Sequence, residues 1–257
     1  MSWKEILTAF NTIFIKEILR FSRIWIQTIL PPAITMTLYF VIFGNLIGKA
    51  IGEMDGFKYI DYIVPGLIMM SVITNSYSNV VSSFFSSKMH GHIQELLISP
   101  TPNIVILLGF VAGGVARGLG VGIVVTIVSL FFTKMDIQHP VITLVIVLLT
   151  SILFSIAGFI NAIYAKTFDA MNIIPIFILT PLTYLGGVFY SIHMLSPFWQ
   201  NVSLFNPVLY MVNGFRYGIL GVSDISPSAS FTLIVVFIVI LFSFAMYLLT
   251  KGIGLRE

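Results

Sequence analysis

The chain of 257 residues contains no cysteine, so it holds no disulfide, no thiolate nucleophile and no cysteine-ligated metal. Charge is almost as scarce. Lys+Arg number 13 and Asp+Glu 10, making 9% of the residues where soluble domains carry about 25%. A water-facing surface cannot be built from so little charge, which excludes a soluble enzyme, a nucleic-acid-binding domain and a disordered regulator. What is abundant is apolar: 58% of the residues are hydrophobic, and the mean hydropathy is +1.03. The composition is that of an integral membrane protein.

Catalytic patterns are missing as well. His90, His92, His139 and His193 are scattered, with no His-Glu-x-x-His pair to hold a metal. The run Gly44-Asn-Leu-Ile-Gly48-Lys49-Ala50 is one residue short of a phosphate loop and lacks its Ser/Thr, so nucleotide hydrolysis is not expected. No carboxylate falls in the middle of an apolar stretch, since Asp61 and Asp169 lie at stretch ends. Ion-driven carriers usually employ intramembrane carboxylates. An ion-gradient-driven secondary transporter stays open as the alternative, because carbonyl groups also hold Na⁺.

A helix needs roughly 20 apolar residues to cross about 30 Å of hydrocarbon. Six stretches qualify, near residues 24–47, 60–83, 104–132, 140–164, 171–190 and 230–249. The further apolar region 197–221 is interrupted by Asn206-Pro207, Asn213-Gly214 and Arg216 and reads as short re-entrant helices. Ahead of the first span, residues 1–22 place Trp3, Ile6, Leu7, Phe10, Phe14, Ile18 and Phe21 at helical spacing, which predicts an amphipathic helix lying in the headgroup layer. Glu17 falls inside that apolar stripe, which fits either fraying or a buried contact with a partner charge. The expected fold is thus an all-α integral membrane protein with six transmembrane helices, an interfacial helix before them and re-entrant helices before the last.

With the N-terminus cytoplasmic, Lys4, Lys16, Arg20, Arg23, Lys88, Lys166, Lys251 and Arg256 lie inside. Lys49, Lys58, Lys134 and Arg216 then lie outside, and Arg117 falls within a span. Positive charge favours the cytoplasmic side, so both termini are expected there.

Polar residues inside the spans are the candidates for function. Asn75, Asn79 and Ser82 fall on one stripe of the second span, either for hydrogen bonding between helices or as the wall of a route. Gly109 and Gly113, and Gly114, Gly118 and Gly122, let another helix approach the third span closely, within the subunit or between subunits. Arg117 must face protein or water, as a structural group or a ligand contact. Pro175, Pro181 and Gly186-Gly187 predict a break in the fifth span.

The order of these elements resembles the ABC type-2 transporter permeases, most closely their YadH-like inner-membrane branch. The matching segments are Arg23-Ile-Trp-Ile-Gln-Thr, Pro31-Pro-Ala-Ile-Thr-Met-Thr-Leu-Tyr-Phe and Val64-Pro-Gly-Leu-Ile-Met-Met-Ser. Gln94-Glu-Leu-Leu-Ile-Ser-Pro, Pro181-Leu-Thr-Tyr-Leu-Gly-Gly-Val-Phe-Tyr and Asn206-Pro-Val-Leu-Tyr-Met-Val-Asn-Gly-Phe-Arg-Tyr follow in the family's order. The resemblance implies a non-enzymatic export subunit of the bacterial inner membrane, surrounded by membrane lipid and binding no nucleic acid. It implies a homodimer joined to two copies of an ATP-binding subunit. No cofactor is expected on this chain, with ATP and Mg²⁺ on the partner. Residues 86–100 are then a cytoplasmic coupling helix with Lys88, Ile93, Glu95, Leu96 and Leu97 as contacts, Leu96 and Leu97 supplying the anchor. Asn75, Asn79, Ser82, Thr180 and Tyr184 are the candidate pathway. The substrate implied is an amphipathic, lipid-like, drug or glycan-lipid molecule.

Overall fold

The computed structural model describes residues 2–255, the side chain of Asn45 excepted. Arg256, one of the basic residues assigned to the cytoplasm, lies outside that range. Helix α1 (Trp3–Arg23) starts where the pattern Ser2-Trp-Lys-Glu5 supplies a capping box. The Ser2 backbone N–H donates to Glu5 Oε2 at 2.9 Å, and the Glu5 N–H donates back to Ser2 Oγ at 3.4 Å.

The chain then rises through α2 (Trp25–Thr28), α3 (Leu30–Tyr39), a π-helical stretch Phe40–Ile47 and α4 (Gly48–Ile51). A two-residue hairpin follows, β1 (Glu53–Met54) against β2 (Phe57–Lys58). Its turn needs positive φ at both central positions, and Asp55 and Gly56 have φ of 51° and 81°. The long α5 (Tyr59–Met89) descends to the short α6 (His92–Ile98), and α7 (Asn103–Ser129) and α8 (Pro140–Tyr164) form the next pair. A broken helix consists of α9 (Phe168–Ile174), a π-helical turn Pro175–Leu179 and α10 (Thr180–Leu185). Proline 175 and Pro181 supply no N–H to that ladder, and the Thr180 hydroxyl donates to the Pro175 carbonyl at 2.9 Å. Helices α11 (Pro197–Leu204) and α12 (Pro207–Leu220) lead to α13 (Pro227–Lys251). At eight and 14 residues, α11 and α12 are too short to cross hydrocarbon at about 1.5 Å per residue.

Among the described residues, five helical stretches are long and apolar enough to span a membrane: Trp25–Ile51, Asn103–Ser129, Pro140–Tyr164, Phe168–Leu185 and Pro227–Lys251. These match five of the six expected spans within a few residues. The sixth, α5, is the longest helix at 31 residues but falls short in apolarity, because Thr74-Asn75-Ser76-Tyr77-Ser78-Asn79 interrupts it. Its position explains the tolerance. Helix α5 is the core of the molecule, packed between α7 and α8 and against α12, so most of its surface meets protein.

The glycine stripes are used within the subunit. A β-carbon on Gly109 or Gly113 would collide with Ile13 or Glu17 of α1. On Gly114, Gly118 or Gly122 it would collide with Val80, Ser76 or Val72 of α5. One helix thus seats α1 and α5 at close range and, at Gly114, also Ser155 of α8.

Candidate functional site

Three polar side chains on α5, four residues apart, meet cations or carboxylates from other helices. Ser83 Oγ donates to Glu17 Oε1 at 2.5 Å. Arg20 Nη2 donates to both the side-chain and backbone oxygens of Asn79, at 2.7 and 3.0 Å. Arg117 Nη2 donates to Asn75 Oδ1 at 3.1 Å. Glu17 is fully buried and faces Arg20 Nε at 3.4 Å, so the break in the α1 stripe is a buried charge with a partner. A spacing of four keeps residues on one helical face. The third rung of this ladder is therefore Ser83, whereas Ser82 donates only to the Asn79 carbonyl of its own helix.

These contacts place Asn75 and Asn79 inside the subunit. Thr180 and Tyr184 sit elsewhere, on the exposed side of the broken helix, where the Tyr184 ring stacks on Phe189 at 6.0 Å. The five candidate pathway residues do not converge in one subunit. Two are buried in the ladder, Ser82 lies beside it, and two face outward.

Helix α6 is separated from α5 by Gly91, whose φ of 77° allows the sharp turn. Its apolar residues face inward. Ile93 is 1% exposed, and Leu96 and Leu97 pack half-buried against the core. The expected anchor, Leu96 and Leu97, thus rests in part on the chain's own core, and Leu96 also lines surface grooves beside α1. The outward groups are His92, Gln94, Glu95 and Ile98, the last 85% exposed. Lys88 also turns inward, its Nζ donating to the Ile163 and Ala165 carbonyls at 2.6 and 3.0 Å. It thereby caps the C-terminus of α8, where cations are favoured.

At the opposite end, near the Asp55–Gly56 turn, a second polar cluster was not anticipated. Arg216, assigned from the sequence to the outer side within the re-entrant region 197–221, is fully buried on α12. Its Nη2 donates to the Gly187 carbonyl at 2.5 Å, and its guanidinium lies 4.0 Å from the centre of the Tyr62 ring. Asp224 accepts from Ser191 Oγ at 2.6 Å and from the Ile192 N–H at 3.0 Å, while its own N–H donates to Asn213 Oδ1 at 2.8 Å. A signal was present in the sequence: Arg216 and Asp224 are the only charged residues between Asp169 and Lys251. Nearby, Thr133 donates its hydroxyl to Asp61. Among the described residues no group of three or more metal-ligating side chains occurs.

Both polar clusters tie one helix or turn to another, as in packed helices. The comparisons with known proteins agree on a class. Residues 8–220 match the family model described as ABC-2 type transporter. The inner membrane transport permease YadH of Escherichia coli (strain K12) is 56% identical over 249 residues, 97% of each chain. More distant relatives include nodulation protein J of Rhizobium meliloti, 22% identical over 80% of this chain and 79% of that protein. Nodulation protein J of Neorhizobium galegae is 20% identical over 72% and 71%. The chain belongs to the ABC-2 type transporter family, a membrane permease of an ATP-binding cassette system.

Proposed function

We propose that this chain is the export permease of an inner-membrane ATP-driven system, with six crossings and both termini cytoplasmic. Helix α5 supplies the sixth crossing: 31 residues reach about 46 Å at 1.5 Å per residue. Two copies of the chain join two copies of a separate ATPase that binds ATP and Mg²⁺. The stretches Trp25–Ile51 and Phe168–Leu185 bury only 17% of their apolar windows, against 56% for Asn103–Ser129. That uncovered surface suits a second copy and lipid, with Thr180 and Tyr184 facing a route for an amphipathic substrate between the copies.

The observation that carries this reading is α6. A short helix between two long ones is rooted in the core by Ile93 and shows Gln94, Glu95 and Ile98 to its surroundings. Such a helix passes motion from a docked ATPase to α5 and α7. Removing an exposed anchor and its neighbouring charge from an interface typically costs a few kcal/mol. Glu95→Ala combined with Ile98→Ala should weaken ATPase association about tenfold or more while the permease inserts normally, read by titrating the purified ATPase onto the permease in nanodiscs. Unchanged affinity in the double variant would remove α6 from the interface.

A further inference from the structure

Asp224 and His193 form an unequal pair. The Asp224 side chain is 2% exposed and that of His193 68%, with His193 Nε2 4.0 Å from Asp224 Oδ1. At 4.0 Å a neutral imidazole makes no hydrogen bond, whereas an imidazolium is attracted by the fixed carboxylate. Proton access belongs to the histidine, because the carboxylate is sealed. Asp224 already holds the start of the 3₁₀ turn Ile192–Met194 through Ser191 and the Ile192 N–H. That turn is tied onward to α11, since Gln200 Nε2 donates to the Leu195 and His193 carbonyls at 2.8 and 3.4 Å.

Other charged or titratable groups also lie in reach. Arg216 on α12 carries a fixed positive charge, and Asp55 from the hairpin and Tyr62 on α5 also lie within electrostatic reach of it. Among side chains in general, imidazole is the one whose charge changes near physiological pH.

We propose that His193 and Asp224 are a pH-operated clasp. Protonation of His193 draws the turn Ile192–Met194 and the α11 segment behind it onto the loop that precedes α13. Acid tightens this end of the bundle and neutral pH loosens it. In an exporter oriented as above, the clasp faces outward and makes opening on that side sensitive to external acidity.

The chain lacks cysteine, so a nitroxide on Met194→Cys, an exposed position, reports the turn without background. The measurement is the rotational correlation time by electron paramagnetic resonance, on the full chain in lipid nanodiscs at pH 5.5 and 8.0. Both faces meet the buffer there, so the clasp is tested independently of the proposed orientation. The label should slow at least twofold at pH 5.5, and the difference should vanish with His193→Gln. Because His193 is exposed, that variant removes the titration without touching the packed core. Asp224→Asn, which keeps an acceptor for Ser191, should also abolish the response. A pH response that survives His193→Gln, no response in the parent, or an equal response from a label on Asp136→Cys would each overturn the clasp.

Discussion

Glu17 is buried where three groups approach its carboxyl: the Ser83 hydroxyl, the Arg20 guanidinium and, at 3.9 Å, the Lys16 ammonium. Breaking a buried pair by removing one partner typically costs about 3–5 kcal/mol. Glu17→Ala should lower stability by less than that, because Arg20 is 27% exposed and keeps its bonds to Asn79, and Glu17→Gln, which still accepts from Ser83, should lose less again. Denaturant titration of both purified variants checks the order. The sequence made Glu17 visible because a carboxylate interrupted an apolar stripe. Arg216 was harder to read, since its partners Gly187 and Tyr62 lie 29 and 154 positions away and only the folded chain brings them together. Its planar guanidinium lies over Tyr62 and bonds Gly187, a pairing that the point charge of lysine does not reproduce. Arg216→Lys is expected to lower thermal stability clearly, measured as the unfolding midpoint, despite conserving charge.

Helix α7 shows how element-scale packing follows from residue spacing. Its two glycine stripes face α1 and α5, while Gly120 on the same helix has open space where a β-carbon would go. Overpacking a tight contact costs about 1–3 kcal/mol or more. Gly118→Leu should therefore destabilise by at least about 2 kcal/mol, whereas Gly120→Leu should be neutral or slightly stabilising by helix propensity. Equal effects at the two sites would separate the glycines from packing. The spans themselves were largely legible, because about 20 apolar residues in a row have few other uses. Orientation around each helix was less so. Apolar spacing put Ile93, Leu96 and Leu97 on one face of α6, but spacing does not say whether a face meets the chain's own core or a partner. The same ambiguity held for α5, where Asn75 and Asn79 proved to face Arg117 and Arg20.

At the scale of the molecule, six crossings follow if α5 spans together with the five more apolar stretches. The Cys-free chain permits single cysteines at Ser2, Asp55, His90, Asp136 and Ser226, all exposed. An impermeant maleimide applied to intact cells should label only Asp55, Asp136 and Ser226 variants, and labelling at Ser2 or His90 would reverse or break the proposed topology. The deeper claim is division of labour, in which a chain without a phosphate loop draws on hydrolysis by a partner. Its most direct test is the mass of the assembly that this 28.6 kDa chain forms with its ATPase, measured by native mass spectrometry from lipid nanodiscs with ATPase activity assayed on the same sample. The account predicts two copies of this chain with two nucleotide-binding subunits, and a smaller share of that complex with Glu95→Ala/Ile98→Ala. A single copy of the chain, bound to no nucleotide-hydrolysing subunit, would contradict it.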